Sequence, residues 1–186
     1  MKIERIDLYH VSMRLVSPFV TSFGPQQQRD CLLLAVHAEG LTGWGESVAT
    51  NDPGYCYETT GTAWHILSDF LIPALLGKEM AEPEALGPAL AFVRGHPLAK
   101  AGLDQAIWDL AAQRDGLSLS AKLAEPYAEG ARARVPVGVS IGIQPSLERT
   151  VEVIGSYYDQ GYRRIKLKIK PGHDVVVGRT ARAAFP

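Results

Sequence analysis

The chain has 186 residues, 46% hydrophobic and 21% charged, which is ordinary for a globular protein with room for one large domain or two small ones. Its formal net charge of -1 gives no electrostatic reason to bind nucleic acid or an anionic membrane. The longest apolar stretch, around Phe70 to Leu76, is too short to span a bilayer and contains Pro73. The amino terminus, MKIERIDLYH, is charged at Lys2, Glu4, Arg5 and Asp7, and no apolar segment follows to make a signal peptide. Cys31 and Cys56 suit a reducing compartment; a disulfide between them stays open, and no CxxC or Cys/His metal pattern exists. The expected location is the cytoplasm.

The first fifty residues read as antiparallel sheet. Ile6, Leu8 and His10 alternate with Arg5, Asp7 and Tyr9, a period of two. Cys31 to Ala38, CLLLAVHA, is a second strand, and after the turn signal Glu39-Gly40 the segment GWGES forms a short third. Ser17 to Asp30 has neither helical nor strand period and is expected to be a loop.

The middle is helical. Glu58 to Leu76 places Ala63, Ile66, Leu67, Phe70 and Leu71 near helical spacing. A second helix is expected to open at Pro83 and end near Gly95. A third, Leu98 to Arg114, puts Leu103, Ala106, Ile107, Leu110 and Ala111 on one face and stops before Gly116. Strands followed by helices make an α+β unit.

From Val135 the pattern changes. VPVGVSIGI is an apolar strand without clear alternation, as expected when both faces are covered. Ser146 can cap a helix to Gln160 with Leu147, Val151, Ile154 and Tyr158 on one stripe, and Gly161 follows it. A second strand spans Arg164 to Lys170, then Pro171-Gly172 and a helix from Asp174. Strand, helix, strand with short connections predicts a parallel pair. The domain boundary falls near Gly130, with no internal repeat.

The segment RIKLKIK, Arg164 to Lys170, carries the chemistry. Successive side chains of a strand point to opposite faces, so Ile165, Leu167 and Ile169 share one and Lys166, Lys168 and Lys170 the other. On an isolated edge strand, lysines only face water and discourage aggregation. In a βαβ context both faces are normally covered, and lysine is seldom buried without a partner or a task. Mutual repulsion and partial burial both disfavour the ammonium form. A lysine brought to about 7–8 can take and return a proton near neutral pH. That role suits Lys168, with Lys166 as its electrostatic neighbour; Lys170 is assigned none.

The K-x-K strand does not stand alone. With PFVTSFG (Pro18 to Gly24), GWGE (Gly43 to Glu46), RGHPLAKAGLDQAIWDL (Arg94 to Leu110) and GVSIGI (Gly138 to Ile143), the chain resembles the enolase superfamily along essentially its whole length. The resemblance is strongest to the muconate-lactonizing-enzyme-like subgroup containing o-succinylbenzoate synthases and N-acylamino acid racemases.

The resemblance implies an α+β capping domain, residues 1–130, followed by the first βα units of a (β/α) barrel, residues 131–186. A whole barrel needs about 250 residues, so the barrel is incomplete in this chain. It implies a small carboxylate substrate held by magnesium (Mg2+), and removal of the adjacent carbon-bound proton to give an enolate. Lys168 would be one acid/base, facing a further lysine on a later strand, and Lys166 would stabilise the enolate. The amino-terminal loop would close over the substrate, making Phe19 and Phe23 candidates for its wall, with Tyr55 and Ser140 at similar places. Each has a structural reading too: the phenylalanines can anchor a long loop, Tyr55 can be loop packing and Ser140 a small residue admitted for space. Trp44, Trp64 and Trp108 read as core residues, and the five histidines show no ligand spacing.

The family's metal-binding carboxylates belong to strands after the K-x-K strand, so no metal ligand is assigned here; Glu46, Asp52, Asp104 and Asp109 form no defensible constellation. Two barrel strands would leave an open edge and unburied apolar faces. The expectation is a chain inactive and metal-free by itself and prone to associate, or part of a longer polypeptide whose parent is a homo-oligomer. No nucleic-acid or membrane partner is expected. Within the superfamily, dipeptide epimerase and cycloisomerase chemistry would use the same lysines; outside it, the alternative is a non-catalytic cap that binds a partner or self-associates.

Overall fold

The structure, a computed structural model, describes residues 1–127 and 129–186. The chain divides into two compact units, residues 1–13 with 30–133 and residues 14–29 with 134–186.

The sheet of the first unit has the order β1-β2-β3: β1 is Arg5–Thr21, β2 Gly24–Ala38 and β3 Leu41–Ser47. β2 and β3 are antiparallel, in a register running from Leu32↔Ser47 to Ala38↔Leu41. Their turn holds Glu39 at φ 52° and Gly40 at φ 77°, both left-handed, as a two-residue hairpin turn requires. β1 and β2 run on into the second unit, where the segment expected to be a loop, Ser17 to Asp30, is strand on either side of a turn at Ser22 and Phe23. The turn is closed by the Thr21 hydroxyl, which accepts the Phe23 N–H (3.1 Å) and donates to the Gly24 carbonyl (3.3 Å). Exposed Gln26, Gln27 and Gln28 hide the strand, because they supply no apolar alternation.

Thr59 caps α1, Thr60–Ile66, reciprocally with Thr62. A π-helical turn, Leu67–Leu71, leads into α2, Ile72–Leu75. The buried apolar residues are Ala63, Leu67, Leu71 and Leu75, every fourth position. In a pure α-helix such a stripe drifts about 40° per step; the wider π turn holds it on one face. Phe70, expected with this stripe, is instead largely exposed and lies edge-on to His65.

The helix expected from Pro83 to near Gly95 is shorter: a 3-10 turn, Pro83–Ala85, and the single turn α3, Leu86–Ala89. Pro88, inside α3, has no N–H to bond back to Glu84, so the 3-10 turn and α3 do not merge into one regular helix.

Helix α4, Pro97–Arg114, lies on β3. A Cβ at Gly43 would stand 2.1 Å from the Ala106 carbonyl oxygen, and one at Gly45 would stand 1.9 Å from that of Gly102. Glycines on both elements therefore permit the approach. On the outward edge of β3, Gln105 and Asp109 accept the Glu46 and Trp44 N–H groups, and Gln113 donates to the Thr42 carbonyl. Since Gly43 and Gly45 face the helix, Trp44 faces away and is 52% exposed; Trp64 is also exposed and Trp108 half-buried, so none of the three is the core residue expected.

The amino terminus of α4 is held from a distance. Glu58 is fully buried, and its carboxylate accepts the N–H groups of Leu98 (2.9 Å) and Ala99 (3.1 Å), which no helical carbonyl can reach. After α4, α5 spans Leu119–Ala124. Its buried Lys122 meets Asp115 and Glu125, each at 2.7 Å. Hydrogen bonds from Arg114 and Lys122 hold the Asp115 carboxyl well below the usual carboxylate range.

In the second unit, β4 is Val139–Ile141, α6 Leu147–Asp159, β5 Ile165–Leu167 and α7 Asp174–Ala184. β4 and β5 are parallel, paired Val139↔Ile165, Ser140↔Lys166 and Ile141↔Leu167. Both strands are shorter than expected, and Val135 and Val137 are exposed. The Ser146 hydroxyl caps α6 by accepting the Arg149 N–H, and Gly161 follows it at φ 99°. Ile141, Ile154 and Val177 are the buried apolar residues among those described in this unit.

Gly45→Ala tests the seam of the first unit. A methyl group aimed at a backbone carbonyl cannot be relieved by a rotamer change, so the variant should lose about 3 kcal/mol of unfolding free energy or more. Urea denaturation followed by tryptophan fluorescence measures it.

Candidate functional site

The β4–β5 ladder sets out the candidate site. Val139 N–H bonds to the Arg164 carbonyl (3.0 Å) and Lys168 N–H to the Ile141 carbonyl (2.9 Å), so β5 cannot slide against β4. Strand alternation then puts Ile165 and Leu167 on the face of Val139 and Ile141, and Lys166 and Lys168 on the face of Ser140. Lys166, the register partner of Ser140, is exposed, as is Ser140 itself. Lys168 is half-buried and lines a small cleft with Gly142, Gln144, Thr150 and His173.

Phe19 joins the lysines. Near the end of β1, its half-buried ring lies 5.9 Å from the Lys168 Nζ, at the outer limit of a cation–π contact. The backbone there is held by a hydrogen bond from Ile143 N–H to the Val20 carbonyl, 2.8 Å. Four of the six candidate residues, Lys166, Lys168, Ser140 and Phe19, are thus gathered around one short sheet. Phe23 is not: it occupies the hairpin turn and is 74% exposed. Tyr55 belongs to the other unit, in the irregular segment before α1, and is 81% exposed.

The chemistry open to the arrangement follows from its parts. A half-buried primary amine can exchange a proton with a bound acid, a second amine on the same face adds positive charge, and an aromatic ring lies beside the first. No metal chemistry follows. Among the described residues no three His, Cys, Asp or Glu side chains come together to hold an ion, so these residues do not fit a magnesium site. Two of the four acidic candidates are engaged otherwise: Asp109 binds the β3 edge and Asp52 accepts the Gly54 N–H in a turn.

Sequence reasoning missed Val20, Ile143 and Gly142, which bring Phe19 to the lysine strand through backbone contacts. A glycine inside a strand pattern marks close backbone approach, and Gly142 in GVSIGI was that signal.

Residues 4–123 match the mandelate racemase / muconate lactonizing enzyme, N-terminal domain. The chain belongs to this family. An o-succinylbenzoate synthase of Geobacillus kaustophilus is 46% identical over 185 residues, covering 99% of this chain and 48% of the relative. An N-succinylamino acid racemase of Thermus thermophilus is 46% identical over 186 residues, covering 100% and 49%. A solved structure of an enolase-superfamily member from Listeria innocua matches with a TM-score of 0.90 at 33% identity, covering 100% of this chain and 49% of that one. The chain spans about half the length of the curated relatives it matches. In this mandelate racemase/muconate lactonizing enzyme relative, the matched region is the α+β cap with its three-stranded sheet and helices. No helix among the described residues is long and apolar enough to cross a membrane.

Phe19→Ala tests the ring contact through amine acylation, read residue by residue by mass spectrometry. A partly exposed cation–π contact is worth about 0.5–1 kcal/mol, so losing it should raise Lys168 labelling about two- to fivefold. Lys166 labelling should stay as it was.

Proposed function

We propose that this chain supplies the proton-transfer strand of an enzyme that abstracts the proton next to a substrate carboxylate and passes through an enolate. The observation that carries the reading is Lys166 on β5, in register with Ser140, and Lys168 one residue past the strand's end, still bonded to the Ile141 carbonyl, with the Phe19 ring 5.9 Å from its ammonium. Residues 1–130 act as the cap and residues 131–186 open the barrel.

In the forward step, neutral Lys168 uses its nitrogen lone pair to take the α-proton. The C–H electron pair moves into the carboxylate and leaves an enolate. Lys168 has become an ammonium ion and Lys166 is a second cation on the same face, so positive charge lies where negative charge develops. Racemisation follows if a proton returns to the carbon from the opposite side. Dehydration follows if a β-hydroxyl departs with a proton as water and the electron pair becomes a carbon–carbon double bond. Phe19 walls the substrate beside Lys168, with Phe23 as a further wall candidate and Ser140 as a hydroxyl donor.

The substrate is a small carboxylate that undergoes o-succinylbenzoate formation or racemisation of an N-acylamino acid. Relatives of both kinds, each 46% identical, support the pair equally. Dipeptide epimerisation and cycloisomerisation would use the same lysines. Magnesium is proposed for the protein on its family membership alone, together with a homo-oligomeric state and a cytoplasmic location. The chemistry assigned to this chain rests on its lysines.

The test uses protein expressed from the complete reading frame, in deuterated water with magnesium and an N-succinylamino acid. Hydrogen exchange at the α-carbon is followed by NMR. Lys168→Ala should slow exchange by about 10²–10⁴-fold, the usual share of a general base, and Lys166→Ala should slow it less. Exchange at the wild-type rate in Lys168→Ala would remove the assignment.

A further inference from the structure

We infer that Gly142 is a positioning residue whose missing side chain seats Phe19 and Val20 against the end of β4 and so holds the Phe19 ring at Lys168. The inference rests on the reading of Lys168 as the acid/base and Phe19 as the substrate wall.

Gly142 follows the last residue of β4, and its carbonyl accepts the side-chain N–H of Gln144 at 2.9 Å. Its φ is not among the positive values, so the backbone conformation there does not itself demand glycine. Space does. A Cβ at this position would stand 3.0 Å from the Val20 N, 3.1 Å from the Val20 O and 3.5 Å from the Phe19 Cδ2. The two nearest atoms are backbone and cannot rotate aside as a side chain would. They belong to the residue whose carbonyl accepts the Ile143 N–H at 2.8 Å. Any group on Gly142 therefore presses on the peptide that the adjacent hydrogen bond pulls inward. An alanine needs a shift of a few tenths of an ångström; a valine needs the segment to lift.

Phe19 immediately precedes Val20, so lifting one carries the other away from the Lys168 Nζ. The lysine strand is held separately, by the Lys168 N–H on the Ile141 carbonyl and by Val139 N–H on the Arg164 carbonyl. Gly142 thus governs the wall without governing the register of the base, which separates substrate enclosure from proton transfer.

Gly142→Ala and Gly142→Val form a graded pair, read by amide hydrogen exchange and by lysine acylation. In Gly142→Val the Ile143 amide should exchange at least about tenfold faster, while the Lys168 amide keeps its protection. Lys168 acylation should rise as it does in Phe19→Ala, with Lys166 unchanged, and Gly142→Ala should show a smaller effect of the same kind. With protein from the complete reading frame, KM should rise about tenfold or more while kcat stays within about threefold, the pattern of lost uniform binding.

Unchanged Ile143 protection in Gly142→Val would overturn the inference. So would loss of Lys168 amide protection in both variants, because the glycine would then hold the sheet and not the wall. Faster Ile143 exchange with unaltered Lys168 acylation and KM would also overturn it. Absence of α-carbon exchange in the wild type would strike the enzymatic reading, while the amide and acylation results would still decide whether Gly142 places Phe19.

Discussion

Two backbone hydrogen bonds, from Val139 N–H to the Arg164 carbonyl and from Lys168 N–H to the Ile141 carbonyl, hold β5 in parallel register with β4, and the candidate site hangs on them. A slip of one residue exchanges the two faces of a strand. Lys166 and Lys168 would then turn towards the side that holds Ile141, Ile154 and Val177. Burying two unpaired ammonium groups there would cost several kcal/mol for each. The aliphatic face thus defends the lysine face, and side chains with no part in the chemistry decide where the amines point.

The first unit uses its polar groups to build a rigid body. Gly43 and Gly45 let α4 lie almost backbone to backbone on β3, and Gln105, Asp109 and Gln113 supply hydrogen bonds to the strand edge that a further strand would otherwise supply. Covering an edge in this way prevents another chain from pairing with it. Glu58 is spent on the start of α4, and Asp115 on Arg114 and Lys122.

What could be read from the sequence was what depends on local periodicity. The stripe on α4, the Ser146 cap and the parallel strand pair each follow from spacing, and the structure contains them; of RIKLKIK only Ile165–Leu167 is strand, so the alternation expected through Lys170 is cut short. What could not be read depended on contacts between distant segments. The ribbon formed by β1 and β2 beyond Met13 has glutamines where a half-buried strand would alternate. The exposure of Trp44 follows only once Gly43 and Gly45 are known to face a helix. The meeting of Phe19 with Lys168 needs a backbone bond between residues 20 and 143, which no pattern within either segment encodes. Phe23 and Phe19 are alike in sequence context, yet one occupies an exposed turn and the other lies 5.9 Å from the Lys168 amine.

Chemical rescue of Lys168→Ala by added primary amines tests the central claim most directly, because it asks whether the missing group is a base and not a packing element. With protein from the complete reading frame, small alkylamines should restore hydrogen exchange at the substrate α-carbon, at rates that rise with amine basicity as a Brønsted relation requires. Failure of every amine to restore exchange, in a variant that still folds and binds substrate, would contradict the assignment of proton transfer to this strand.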